Sequence, residues 1–449
     1  GWFVGLFVIN TLLFTIDFTR FPGNSTEVKL KPGLHVIYGE SGVGKSNLVQ
    51  HLSGTHGKYP GNFDVEIQKC PNPIQIVLQN PDSQIVSDTV DGELAFSLEC
   101  NQTDSAAIQS AFLALKKELP FSVNGSRHPV TLSGGEKEIL NIITAFSTEP
   151  ELIILDDCLS FLNHRMKNFI LENIQQKLFK NNQIVLWLTS DIDDLQYGVT
   201  HWELSLSALS QFNLGEKPMY PCCKLKKGSL NLEIDSMFFA YRDERILFKQ
   251  MSCTVNNSRS LGIVGANGSG KTTLASLMIG INHPDSGVIK LKLEGGIAPT
   301  IAYLDQFPER LIGEKTLEDL LQEFLRIGKL QVHLHKKCIT VMERNQIKWD
   351  LIRNKSSYDI PWSILRIALI VILTHCEFDL LILDEPTFGL GWEQKVNLLQ
   401  YLQRYLKQKH LIVISHDVEF VNTICDTVLS LDNDSITTSD LKRIEREDT

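Results

Sequence analysis

The polar and apolar positions of the chain follow two rhythms. Near the start, Phe14, Ile16 and Phe18 alternate with Thr15, Asp17 and Thr19, the period-two pattern of a half-buried strand. Elsewhere short unbroken apolar runs are followed by longer helical stretches: LHVIY and SLGIV come before NLVQHL and TLASLMIG, and LIILD and LLILD lie further on. Apolar strands alternating with helices predict an α/β fold whose sheets are mostly parallel. The opening GWFVGLFVINTLLF is apolar for about 14 residues, short of the roughly 20 that a membrane-spanning helix needs, and has no basic n-region of a signal peptide. An opening β-strand is the expectation, with residues 1 to 11 unassigned. An initiating Met is absent, so a trimmed or partial N-terminus is expected.

The pattern occurs twice. GESGVGKS begins at Gly39 and GANGSGKT at Gly265, about 226 residues apart. At nearly the same offset, VLQNPDSQ (Val77–Gln84) answers to YLDQFPER (Tyr303–Arg310) and ELIILDDCLSFLN (Glu151–Asn163) to DLLILDEPTFGLG (Asp379–Gly391). VLWLTSD (Val185–Asp191) answers to IVISHD (Ile412–Asp417). Two duplicated domains are expected, 1–213 and 230–449, joined through 214–229, where Pro, Gly and Lys interrupt the periodicity. A chain of 449 residues with 43% hydrophobic content can fill two cores. A formal net charge of −10 argues against the broad basic surface of a nucleic-acid-binding protein. The nine cysteines lack metal-ligand spacing, and the adjacent pair Cys222-Cys223 falls in the join, so a reduced cytosolic compartment is expected.

Each GxxxxGK[ST] stretch follows an apolar strand and opens a helix, the context in which such a loop cradles phosphates with backbone N–H groups. Candidate ATP-binding residues are Gly39, Ser41, Gly42, Gly44, Lys45, Ser46 and Asn47 in the first half. In the second they are Gly265, Asn267, Gly268, Gly270, Lys271, Thr272 and Thr273. Lys45 and Lys271 would reach the β and γ phosphates, and Ser46 and Thr272 would offer a hydroxyl to Mg²⁺. Asp156 and Asp384, each ending an apolar strand, are the carboxylates placed to serve the same ion. Glu385 follows as a candidate general base on water. Its counterpart Asp157 is one methylene shorter, which reads equally as tolerated drift or as loss of function. His416, which could bond the γ-phosphate and hold water and base in geometry, is replaced by Ser190 in the first half.

With LSGGEK standing between the first phosphate loop and LIILDD, the chain resembles the ABC ATPases over nearly its whole length. The resemblance implies two tandem domains, each a P-loop core sheet with an antiparallel β subdomain and a helical signature subdomain, paired head to tail. It also implies ATP and Mg²⁺ as cofactors. Ser133, Gly134, Gly135 and Glu136 would be the signature facing a γ-phosphate, Gln79 and Gln306 would approach the metal, and Tyr241 would stack on adenine, with Phe18 or Phe21 in that role in the first half. LQNPDSQIVSDTVDGELAFSLE and DQFPERLIGEKTLEDLLQEF look like the two ATPase types of energy-coupling factor (ECF) importers. That likeness implies an integral membrane T-component, a substrate-capturing S-component and a peripheral place at the cytoplasmic face of the cell membrane. The second half departs from the pattern at Arg310-Leu311 and at Asp319-Leu320-Leu321.

In SYDIPWSILRIAL (Ser357–Leu369), aligning LRIAL places Ile360-Pro361-Trp362-Ser363 where Ser-Gly-Gly-Gln would stand. Pro361 has no N–H to offer, and Trp362 sets an indole where backbone must approach. Under head-to-tail pairing Asp157, Ser190 and this segment fall in one site, which predicts one hydrolytic and one degenerate site. Gly391 replaces the family's usual Asp, with Asn163 at the matching place, and the direction of that effect stays open. Two other readings are a soluble tandem ATPase acting on ribosomes, hinted at by the Glu of LSGGE but disfavoured by the short join, and the fused ATPase of a sugar importer. The transported micronutrient, whether vitamin, precursor or metal ion, is not specified.

Overall fold

A computed structural model describes residues 10–55, 61–100, 104–121, 124–160, 162, 164–213, 219–221, 227–241, 246–265, 268–345, 347–432 and 435–440. The chain divides into two units, residues 1–217 with 389–392, and 218–388 with 393–449. Each is an α/β body with two sheets.

In the first unit, β1 (Leu12–Phe18), β2 (Ser25–Leu30), β3 (Gly33–Tyr38), β4 (Phe63–Lys69) and β5 (Ile74–Val77) precede β6 (Leu152–Asp156). β7 (Ile184–Thr189), β8 (Thr200–Leu204) and β9 (Leu209–Gln211) complete it. The core sheet has the order β5-β6-β7-β3-β8-β9, parallel except for the edge strand β9, and a separate antiparallel sheet has the order β2-β1-β4. β1 buries Leu12, Phe14, Ile16 and Phe18 on one face, as the alternation in the sequence requires. β6 and β7 are buried at every position because helices cover both faces of a parallel sheet. Their largest side chain, Trp187, is fully buried and donates its indole N–H to the Cys158 carbonyl at 3.2 Å.

The second unit repeats the plan with β10 (Leu230–Ala240), β11 (Ile246–Ser258), β12 (Ser260–Gly265), β13 (Ser286–Lys292) and β14 (Ile301–Leu304). β15 (Leu380–Asp384), β16 (His410–Ile414), β17 (Thr427–Asp432) and β18 (Ser435–Asp440) follow. The core order β14-β15-β16-β12-β17-β18 and the antiparallel order β11-β10-β13 match the first unit strand for strand. Among the described residues no helix is long and apolar enough to cross a membrane.

Strand pairing corrects the internal alignment at two places. Val77 pairs with Leu155 and Leu304 with Leu383, one residue before Asp156 and Asp384. Val77 therefore corresponds to Leu304 and not to Tyr303, which sets Gln79 opposite Gln306, Pro81 opposite Pro308 and Asp82 opposite Glu309. The helices Gly134–Ser147 and Trp362–His375 have equal length and stand equally far before β6 and β15. Ser133 thus corresponds to Pro361 and Gly134 to Trp362, so Ile360 matches Leu132 and not the signature serine. An apolar helix offers several plausible registers, and only the pairing of the following strand fixes one.

Trp187→Ala is expected to destabilise the first unit by about 3–5 kcal/mol. The check is a lower urea midpoint for that unit, followed by hydrogen exchange along Ile184–Thr189.

Candidate functional site

Each phosphate loop leaves the end of a buried strand and turns into a short helix, Lys45–Leu52 or Lys271–Met278. The turn needs its last glycine for two reasons. Gly44 and Gly270 cap these helices at φ 113° and 96°, a region that side chains disfavour. A Cβ would also lie 2.9 Å from the Phe63 ring at Gly44 and 2.7 Å from that of Phe248 at Gly270. The antiparallel sheet thus presses an aromatic ring against each loop. Lys45 arches back to donate to the carbonyls of Gly39 (2.7 Å) and Glu40 (3.3 Å), and Lys271 to that of Gly265 (2.9 Å). Asn267 lies outside the described residues, as does Asn163.

Beside each loop stands the strand-end acid. Thr272 Oγ1 donates to Asp384 Oδ2 at 2.7 Å, and Tyr303 reaches the same oxygen at 3.3 Å. Burial, then the charge of Glu385, pushes the Asp384 carboxyl up to about 7. Burial and Asp157 raise Asp156 to about 6, against a hydrogen bond from Ser46 and the charge of Lys45. Asp156 Oδ1 is buried without a hydrogen-bond partner, an acceptor suited to a cation. No group of three His, Cys, Asp or Glu among the described residues could hold a metal by itself. A hydroxyl and one carboxylate on each side fit Mg²⁺, which keeps waters and shares its shell with phosphates.

The residue after each acid adopts left-handed backbone, φ 50° at Asp157 and 49° at Glu385, pinned by N–H bonds to Leu188 (2.8 Å) and Ile414 (2.7 Å). Strain of this kind on a non-glycine residue is characteristic of functional positions. The carboxylates it presents are held differently. Glu385 accepts from Ser415 Oγ at 2.8 Å, from the His416 N–H at 3.1 Å, and pairs with His416 Nδ1 at 2.9 Å. Burial pushes the Glu385 carboxyl up, but the charge and hydrogen bond of His416, with Lys271 and Ser415, outweigh it and hold it at about 2. Burial pulls the His416 imidazole down, while Glu385 lifts it above its ordinary value. Asp157 instead takes Ser190 Oγ on both oxygens (2.7 and 2.5 Å), the Ser190 N–H (2.9 Å) and Gln79 Nε2 (3.4 Å). Lys45 completes its shell as an ion pair at 3.7 Å.

The structure brings Tyr241 to the second loop: its hydroxyl lies 2.6 Å from Thr273 Oγ1 while the ring stays 42% exposed. In the first unit Phe18 is only 2% exposed and packs edge-on against Phe63, so it belongs to the core and cannot stack on a base. Phe21, 45% exposed, is the candidate that remains of the two. Ser133 caps the helix Gly134–Ser147 in a reciprocal box with Glu136: the Glu136 carboxylate accepts the Ser133 N–H at 2.8 Å, and Ser133 Oγ accepts the Glu136 N–H at 3.3 Å. Trp362 does not cover the start of its helix as expected. Its indole turns inward between Phe307 and Phe388 and is 9% exposed. The sequence reading passed over Ser415, Tyr303 and the Lys45–Asp157 pair. The hydroxyl immediately before His416 could have suggested the first; nothing local pointed to the other two.

The ABC transporter profile matches residues 24–160 and 248–388, more than half of the chain. The chain belongs to the ABC transporter family. ABC ATPase domains bind and hydrolyse ATP, and the two profile matches make this chain a tandem ABC ATPase. It is 27% identical to the Bacillus subtilis protein named as HMP/thiamine import ATP-binding protein YkoD, over 88% of this chain and 84% of that one. It is 22% identical to a Treponema denticola protein named as an ABC transporter ATP-binding protein, over 89% and 90%. Among solved structures, an archaeal ABCE1 in a ribosome-bound complex with Pelota superposes with a TM-score of 0.66 at 17% identity, covering 91% of this chain and 75% of that one. At that identity the likeness shows the shared tandem fold alone.

The Glu385–His416 pair has a defined pH window. Raised in the folded state, His416 adds stability that is fully present below about 6.5 and is lost as pH rises through its folded value. Lowered in the folded state, Glu385 adds stability present above its unfolded value of about 4.3 and lost as pH falls toward the folded one. Glu385→Gln removes the charge that offsets burial, so His416 is expected to titrate below about 6.5 in that variant. Imidazole NMR of the nucleotide-free protein checks this, and an unmoved His416 would show that the pair is not electrostatically coupled.

Proposed function

We propose that this chain is the ATP-binding and ATP-hydrolysing subunit of an ECF-type importer of a micronutrient, with hydrolysis carried by the residues of the second unit. The observation that carries the asymmetry is the environment of the two candidate bases. Glu385 is held ionised beside His416 and Ser415, with one hydrogen bond to each side chain. An ionised carboxylate can accept a proton from water, though the low value makes it a weak base, and the imidazole beside it keeps it oriented. Asp157 has no imidazole beside it and is held instead by Ser190, Gln79 and the phosphate-loop lysine.

Binding is assigned to both units. Gly39, Ser41, Gly42, Gly44, Lys45, Ser46 and Asn47 would hold one triphosphate, and Gly265, Asn267, Gly268, Gly270, Lys271, Thr272 and Thr273 a second, with Tyr241 against the adenine of the latter. Ser46 with Asp156, and Thr272 with Asp384, would hold Mg²⁺, approached by Gln79 and Gln306. When bound, that ion neutralises charge on the phosphates.

Import is supported by the extended similarity to a relative named for HMP/thiamine import. The stretch resembling an ECF docking segment also carries exposed apolar side chains at Leu78, Val86 and Phe96, suited to a membrane T-component that itself joins an S-component. On this reading the chain sits peripherally at the cytoplasmic face of the membrane. The ribosome-associated reading rests on the glutamate of LSGGE and on fold similarity, and fold similarity does not carry function.

Glu385→Gln is expected to abolish ATP turnover, while Asp157→Asn retains most of it; steady-state phosphate release distinguishes them, and equal losses would sink the asymmetry. Affinity purification from membranes is expected to bring down an integral membrane partner. Recovery of ribosomes in its place would refute the importer.

A further inference from the structure

The helix Trp362–His375 starts with contacts that have no parallel in the first unit. Trp362 meets Phe307 edge-on, with ring centroids 5.7 Å apart, and Phe388 at a tilt, 5.9 Å away. One turn later Arg366 is completely buried. Its guanidinium donates to the Phe388 carbonyl and, at 2.7 Å, to the Gln306 carbonyl, and lies 5.3 Å from the centre of the Phe388 ring. Three pieces of the unit are tied here: the loop that carries Gln306, the start of the helix, and the backbone just past Glu385.

At the corresponding positions the first unit has Asn80, Gly134, Ser160 and, in place of the arginine, Glu138. Its ties are polar. Glu138 accepts the Leu159 N–H at 2.5 Å, Lys137 pairs with Asp82 at 2.6 Å, and Asn141 donates to the Pro81 carbonyl at 3.0 Å. Position 138 thus holds the post-acid segment through an N–H, whereas position 366 holds it through a carbonyl. A buried guanidinium is costly unless its charge is offset, and Glu385, Glu309, Asp384 and Asp305 surround it with negative charge. Loss of two glycines would not by itself call for a buried arginine whose fork spans two loops.

We propose that Pro361-Trp362 is a brace and not a worn phosphate contact: Trp362 and Arg366 are positioning residues that fix Gln306 and the backbone after Glu385 in the hydrolytic geometry of their own unit. The proposal rests on the reading of Glu385 as the base and Gln306 as a metal-approaching residue.

The full-length protein, with any membrane partners it purifies with, is compared with Trp362→Gly, Trp362→Phe and Arg366→Lys. Misplacing a base by a fraction of an ångström to an ångström costs roughly 10- to 100-fold in rate. Trp362→Gly is therefore expected to lower kcat by that order, with KM for ATP changed less than about twofold, and to speed hydrogen exchange at residues 306–309 and 385–388. Trp362→Phe keeps ring packing and most of the turnover. Arg366→Lys keeps the charge but loses the planar fork; it should show the same kcat loss, and it carries the test if the glycine variant does not fold. Turnover that is unchanged or raised by Trp362→Gly or Arg366→Lys, with Glu385→Gln inactive, overturns the brace. A loss expressed as a rise in KM also overturns it. Turnover that survives Glu385→Gln overturns the reading beneath the proposal instead.

Discussion

A carboxylate buried at the end of a parallel strand sets the terms for each half of this molecule. The strand leads it into the interior, the next residue turns through left-handed backbone, and a second acid is delivered beside the first. Two adjacent buried acids repel each other and are poorly solvated, so a cation and several donors must be supplied nearby. The second unit supplies the His416 imidazole and the Ser415 hydroxyl, and the first supplies Lys45 and Ser190. This makes the two differences at each site one coupled change. Glutamate reaches a histidine beyond the strand. Aspartate is one methylene shorter and turns toward the loop lysine, with a serine small enough to bond both its oxygens. Lys45, the lysine proposed to meet a triphosphate in the first unit, is paired with a protein carboxylate, whereas in the second unit His416 lies against Glu385.

The helical side of each unit answers to the same center from the other direction. Residues after the second acid and in the glutamine loop need anchors, and the helices Gly134–Ser147 and Trp362–His375 provide them from equivalent turns. Glu138 does so through a buried bond from the Leu159 N–H, and Lys137 through an ion pair to the partly exposed Asp82. Arg366 and Trp362 do so with a buried guanidinium fork and with edge-on and tilted ring contacts. The first set of ties is polar and the second largely aromatic, and closely packed rings leave little room to move.

The parts that were legible in the sequence are those where backbone geometry restricts residue choice. The phosphate loops, the apolar strands ending in acid and the duplicated order of strands could be read because glycine at positive φ and unbroken apolar runs have few substitutes. Phe18 was misjudged since alternation gives the face of a strand but not what covers it; the ring belongs under Phe63, inside. The one-residue slips at Gln306 and at Pro361 came from aligning loops by similarity, when the pairing of Leu304 with Leu383 decides the register. Trp362 was read as an indole standing where backbone must approach, because only its place in a motif was visible. Its partners, Phe307 and Phe388, lie far from it along the chain on one side or the other, and no local pattern connects them.

The cap of that helix shows why the fold tolerated so large a change. In the first unit, Ser133 and Glu136 satisfy the free N–H groups at the helix start, an arrangement worth about 0.5–2 kcal/mol. Pro361 occupies the cap position in the second unit and makes no side-chain bond to the helix. Burying an aromatic side chain contributes about 1.5–3 kcal/mol, and an edge-to-face aromatic pair roughly a further 0.5–1.5 kcal/mol. Trp362 therefore offsets the lost cap by packing alone, and both helices begin at the same distance from their strands. With stability secured by a different interaction, the start of the second helix no longer had to keep its N–H groups open. That leaves the start of the second helix available for the bracing role proposed for Trp362 and Arg366.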